Sequence, residues 1–256
     1  MRYLLMVLLM SAFTVEAGVL ESPGSLGFLG KNKVVFNLYK RQQNSNPYLY
    51  ENRIVGRIGD HCTGTLISPR HVLTAAHCAY DLNTSRQAKD LSFKPGQVDK
   101  DTLPFKAINW KKMYLPKSFD VNLIDYSTDY AVIELSEEIG KVVGWAGYKV
   151  MKESLSVPVS LTGYPHDKDE GTQWRAECPA SIHYEEVTYK CDTFGGISGS
   201  AVFEETSGDN GRFIIGIHVY GNRTVNGAVR ITDSRFRMIQ AWVNGKVSRD
   251  TLVIHN

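Results

Sequence analysis

The most constraining feature of this chain is a succession of short runs rich in Val, Ile, Thr and Tyr. RIVGRIG, CTGTLIS, HVLTAA, YAVIEL, SVPVSLTGY, SIHYEEVTY, SAVFEE, FIIGIHVYG and GAVRIT follow one another, separated by Gly, Pro, Asn or Asp clusters. Many short strands at such spacing predict an all-β body, a barrel or a sandwich. One segment breaks the pattern. In TDSRFRMIQAWVNGK, Phe236, Ile239, Gln240 and Trp242-Val243 recur at helical spacing. Thr232 or Asp233 is placed to cap the start and Gly245 lies past the end, so a helix is expected over about 233–245. The 256 residues, 43% of them hydrophobic, suffice for one large domain with a core of its own.

The first residues differ in kind. Met1-Arg2 precede the apolar run YLLMVLLMSAF, which ends near Val15-Glu16-Ala17 with small residues where a signal peptidase reads. The run is shorter than the roughly 20 apolar residues that span a bilayer. It predicts a secretory signal over 1–17, and no membrane partner is expected. In a secreted chain four cysteines, Cys62, Cys78, Cys178 and Cys191, suggest two disulfides. A metal site is not expected, since neither a CxxC pair nor an HExxH cluster is present. Asn83-Thr84-Ser85 and Asn222-Arg223-Thr224 are candidate glycosylation sequons at Asn83 and Asn222. A net charge of +2 without a dense basic patch argues against nucleic acid as a partner.

Three segments carry candidate chemistry. In LTAAHC, His77 closes an apolar strand among small residues, and a bridge from Cys78 to Cys62 would pin its loop as a general base requires. In GGISGSAVF, Ser198 stands between glycines, and Gly195-Gly196 would let the N–H groups of Gly196 and Ser198 turn toward an oxyanion. In STDYAVIEL, Asp129 opens an apolar strand, where a carboxylate needs a partner such as an imidazole N–H. Asp120 and Asp125 are rivals, but neither directly precedes the apolar run.

Taken in order, these segments resemble the trypsin-like serine proteases, and within them the glutamyl endopeptidase (V8-like) branch. CTGTLISPRHVLTAAHC is similar to the family's first disulfide and histidine segment, and DYAVIEL to its aspartate strand. GYPHDKDEGTQW, CDTFGGISGSAVF, IIGIHVYG and NGAVRI are similar to later stretches of that branch, in the same order. The likeness runs from about Arg53 to Val243. It implies two six-stranded antiparallel β-barrels over about 54–138 and 142–231, with the active site between them and a C-terminal α-helix. It implies Ser198 as nucleophile, His77 as general base and then acid, Asp129 as the group orienting His77, and no cofactor. It implies Cys62–Cys78 beside the histidine, which leaves Cys178–Cys191 to brace the nucleophile loop. Peptides or proteins would be the substrates, an activating protease the processing partner, and a monomer the default.

The resemblance leaves two specificities in competition. Asp192, six residues before Ser198, occupies the offset at which trypsin-like enzymes read Lys or Arg. Thr193, five before Ser198, and His218 match the pair that contacts an acidic side chain in glutamyl endopeptidases, with Gly221 closing the same strand. An imidazole beside a cationic substrate would repel it whenever protonated, whereas an acidic substrate would favour that protonation. Cleavage after Glu, or Asp, is therefore expected, with cleavage after Lys or Arg as the alternative. No motif surrounds His61, His71, His166, His183 or His255.

Three departures stand out. Ile197 precedes Ser198 where the relatives carry a polar residue, so an inactive, binding homologue is a further alternative. Arg53-Ile54-Val55-Gly56 imitates an activation sequence, but Ile54 lies only eight residues before Cys62, and RIVGRIG reads as a strand. The mature start is expected upstream, at Val34, with the dibasic Lys40-Arg41 as an alternative. Val34 would lend its amine to the substrate acid, 18–33 would be a pro-segment, and 34–256 the protease domain. Ala201 replaces the family's usual proline.

Overall fold

The computed structural model describes residues 36, 38–81, 86–88, 90–122, 125–206 and 212–256. The expected signal and pro-segment, Val34 and the Asn83 sequon lie outside the described residues. Six strands form the first half: β1 (Val55–Ile58), β2 (Cys62–Leu66), β3 (His71–Thr74), β4 (Phe93–Pro95), β5 (Trp110–Pro116) and β6 (Ala131–Leu135). They lie in the order β5-β6-β3-β2-β1-β4. The two ends meet where Phe93 and Ile108 exchange backbone hydrogen bonds of 2.9 and 2.8 Å.

The second half is a closed ring of β7 (Ser154–Gly163), β8 (Trp174–His183), β9 (Glu186–Tyr189), β10 (Ala201–Glu204), β11 (Phe213–Gly221) and β12 (Asn226–Arg230). Every neighbouring pair is antiparallel, and β8 bonds both β7 and β9. Alternation explains its interior: Ala176, Cys178, Ala180 and Ile182 of β8 are buried with Val157, Val159 and Leu161 of β7. The mostly β architecture with two barrel halves is the one the sequence predicts.

The helix is present at Asp233–Val243, with Thr232 at its N-cap accepting from the Arg235 N–H. Its buried Trp242 stacks on Tyr130 at 5.6 Å and on Tyr114 at 6.3 Å, so the end of the chain packs back onto the first half. The sequence reading ends the chain with this helix. Instead a thirteenth strand, β13 (Thr251–His255), follows and pairs antiparallel with the outer edge of β5. Covering that edge satisfies a row of backbone groups that would otherwise be open to another chain. Gln42–Gln43 likewise adds to the edge of β8, opposite Arg175 and Trp174.

Candidate active site

His77 lies in the 3-10 turn Ala76–Ala79 that follows β3, and is 2% exposed. Asp129 lies at the end of a second 3-10 turn, Tyr126–Thr128, just ahead of β6. Strands β3 and β6 are hydrogen-bonded neighbours, with Thr74 opposite Ala131, and this register brings the two turns together. The Asp129 carboxylate accepts from the His77 ring Nδ1 at 2.6 Å and from the His77 backbone N–H at 2.8 Å. A buried carboxylate with two charge-assisted donors meets the requirement that the sequence raises. The rivals serve their own turns: Asp125 accepts the Ser127 N–H and Asp120 the Asn122 N–H.

Ser198 belongs to the second half but is fastened to the first. Its carbonyl accepts the Thr63 N–H at 2.8 Å, and Thr63 Oγ1 donates to the Gly196 carbonyl at 2.8 Å. The same Ser198 carbonyl lies 3.8 Å from Cys78 Sγ, the sulfur next in sequence to His77. Two glycines make this close approach possible. Gly196 (φ +95°) and Gly199 (φ +84°) are left-handed, and a Cβ on Gly199 would fall 2.1 Å from Thr74 Oγ1. Among the described residues, neither the Gly196 nor the Ser198 N–H is engaged in an intramolecular hydrogen bond.

Both disulfides are formed as the resemblance implies. Cys62–Cys78 ties β2 to the histidine turn, and Cys178–Cys191 ties β8 to the entry of the loop that carries Ser198. Cys62, His77 and Cys78 lie close enough to suggest a metal site, but both sulfurs are in the disulfide and the ring is bonded to Asp129. That donor set does not fit a metal ion.

His218 is bonded through the backbone to the two residues after Ser198: its carbonyl accepts the Gly199 N–H and its N–H donates to the Ser200 carbonyl, each at 2.8 Å. Its ring Nδ1 is 2.6 Å from the Tyr189 hydroxyl. Burial, reinforced by nearby His77, pushes the His218 pKa down to about 3, so the imidazole is neutral rather than charged in the free protein. Thr193 is buried in the same loop, and Gly221 ends β11 opposite Asn226. Asp192 has other work. Its carboxylate accepts the Phe36 N–H at 2.7 Å and its N–H reaches the Tyr39 carbonyl, so it anchors the incoming N-terminal segment. Ile197 is buried, 3% exposed. Ile54 is buried too, its N–H bonds back into the turn Tyr50–Arg53, and Val55-Gly56 open β1.

The sequence reading misses Tyr189, whose contact with His218 spans 29 residues, and Thr63, whose side chain holds Gly196 across 133. No local pattern marks either one.

Comparison with known proteins finds relatives of the same fold. The chain is 34% identical over 241 residues to a glutamyl endopeptidase of Bacillus licheniformis, covering 90% of this chain and 75% of that one. It is 35% identical over 186 residues to a Bacillus subtilis protein named an extracellular metalloprotease, covering 72% of this chain and 58% of that one. A solved Glu endopeptidase in complex with MPD superposes with a TM-score of 0.72 at 27% identity, over 83% of this chain and all of that one. The trypsin family model matches residues 35–243, and the chain therefore belongs to the trypsin-like serine proteases, as a serine endopeptidase related to glutamyl endopeptidase.

Proposed function

We propose that the protein is a secreted endopeptidase that uses Ser198, His77 and Asp129 as its triad and cleaves after Glu or Asp. The observation that carries the triad is the pair of hydrogen bonds from His77 to the Asp129 carboxylate beside the loop that presents Ser198. His77 takes the Ser198 hydroxyl proton as the oxygen attacks the peptide carbonyl, then returns it to the leaving amine. Asp129 holds the Nδ1–H tautomer and stabilises the imidazolium that forms. The N–H groups of Gly196 and Ser198 receive the oxyanion. Water repeats the sequence to release the acyl group.

The preference for an acidic side chain rests on His218, bonded to Gly199 and Ser200 next to Ser198, and on Thr193 buried in the same loop, while Asp192 is occupied with the N-terminal segment. A neutral His218 serves a carboxylate as an N–H donor. Val34 is proposed as the mature terminus. Phe36, two residues on, is bonded to Asp192 in the nucleophile loop, which supports an amine close to the pocket. The dibasic alternative is disfavoured, because Arg41 forms a bidentate pair with Asp167 and its side chain is only 6% exposed. Two disulfides fit an oxidising compartment, and among the described residues no helix is long and apolar enough to cross a membrane.

The test is hydrolysis of peptides that differ only in the residue before the cut, with Glu, Asp, Arg or Phe there and Ser198→Ala as control. Fast Arg cleavage with Glu untouched overturns the specificity. Failure of Ser198 to react with an organophosphonate after correct processing favours the inactive, binding homologue.

A further inference from the structure

The closed barrel places a second buried polar side chain behind His218. Val187, Ala228 and His218 lie side by side across β9, β12 and β11. Tyr189 is two residues on from Val187, hence on the same face. There its hydroxyl meets His218 Nδ1 at 2.6 Å, the two rings being 6.0 Å apart. Tyr189 is 3% exposed and packs in the apolar barrel interior.

A bond between a phenol and an imidazole nitrogen can run in either direction, and here the direction matters. If Nδ1–H donated, the phenol proton would need another acceptor. Among the described residues the Tyr189 hydroxyl has no other partner, and a buried O–H without an acceptor is costly. Burial also raises the phenol pKa well above its ordinary value, so the proton stays on oxygen. The charged and titratable neighbours of the pair are His77 and Tyr220, and His77 disfavours a second charge on His218.

We infer that Tyr189 is a positioning residue for substrate selection: its O–H donates to His218 Nδ1, fixing the tautomer in which Nε2 carries the proton and donates to the acidic side chain before the cut. This rests on the reading of His218 as the group that meets that side chain. The opposite tautomer would present a lone pair to a carboxylate and repel it. Tyr189 thus decides whether a neutral His218 attracts or rejects Glu, although it never touches the substrate.

Two measurements on the mature enzyme test this. The first is 15N NMR of histidine-labelled Ser198→Ala protein, which reports the His218 tautomer whether or not the enzyme prefers Glu. A protonated Nε2 with a bare Nδ1 is expected, and a protonated Nδ1 overturns the inference. The second is Tyr189→Phe, which keeps the ring and removes the proton. KM for a Glu peptide should rise about tenfold with kcat nearly unchanged, as for loss of a uniform binding interaction. Turnover of the matched Gln peptide should not change, which a general packing defect would not permit. An unaltered Glu-to-Gln ratio overturns the inference while leaving the Glu specificity standing. A wild-type enzyme indifferent to Glu overturns the specificity itself.

Discussion

His77 and Asp129 are joined twice, once through the imidazole Nδ1 and once through the His77 backbone N–H, so a single carboxylate fixes both the ring and the turn that carries it. Asp129→Asn should separate these roles. The amide oxygen can still accept the backbone N–H, but the amide nitrogen cannot accept from Nδ1. The expected outcome is a loss in kcat of about ten-thousand-fold with little change in melting temperature, read by peptide hydrolysis and calorimetry. A parallel fall in both would mean that the backbone bond had failed as well.

Gly199 and Gly245 form a matched pair. Both have positive φ, at +84° and +69°, but a Cβ on Gly199 meets Thr74 Oγ1 and the Thr63 carbonyl, whereas nothing lies within 4 Å at Gly245. Gly245→Ala should cost only about 1 kcal/mol, the left-handed penalty alone. Gly199→Ala should cost more and abolish turnover, because it pushes the serine loop off Thr63. Urea unfolding of the two variants checks the ordering.

Removing the Cys62–Cys78 bridge as a double alanine variant should lower stability by about 3 kcal/mol, given the sixteen-residue separation it closes. Activity should fall beyond what the unfolded fraction explains, because the bridge packs against the Ser198 carbonyl. Denaturant titration and turnover on the same samples separate the two effects.

His218 also predicts a pH dependence. Its folded pKa is about 3, below the ordinary 6.5 of an exposed imidazole, so between those values the unfolded chain binds the extra proton. Stability from this group is full above pH 6.5 and is lost as pH falls toward 3. His71 and His166 are shifted down by burial and add in the same direction. His218→Gln should flatten the acid limb of a stability-against-pH curve. An unchanged limb would mean that His218 is accessible to protons in the folded state.

Asp192→Asn should leave cleavage after Arg negligible while weakening cleavage after Glu, because the change loosens the segment at Phe36 rather than an ion pair with substrate. A gain or loss confined to Arg peptides would contradict this.

The legible parts of the molecule were those written in local pattern. RIVGRIG, CTGTLIS and YAVIEL became β1, β2 and β6 because alternation and β-branching act over a few residues. His77, Asp129 and Ser198 stood out as candidates because each lies close to the end of an apolar strand. TLVIH is just as rich in β-branched residues, but it became β13 because β5, more than a hundred residues earlier, offered an edge. The neutral state of His218 was equally hidden. The sequence argument lets it protonate with substrate, while the barrel's dryness and nearby His77 hold it uncharged in the free protein. Asp192 resembles a specificity acid by offset, and its attachment to Phe36 emerges only from the folded path of the N-terminal segment.

The attachment of Ser198 and Gly196 to Thr63 has a mechanical consequence. Two barrels with a cleft between them invite the picture of jaws that open for substrate and shut on it. Here the seam is riveted at the Ser198 loop, since separating the barrels would first break the bonds from Thr63 to Ser198 and Gly196. Heat inactivation and loss of tertiary structure should accordingly coincide in one cooperative event.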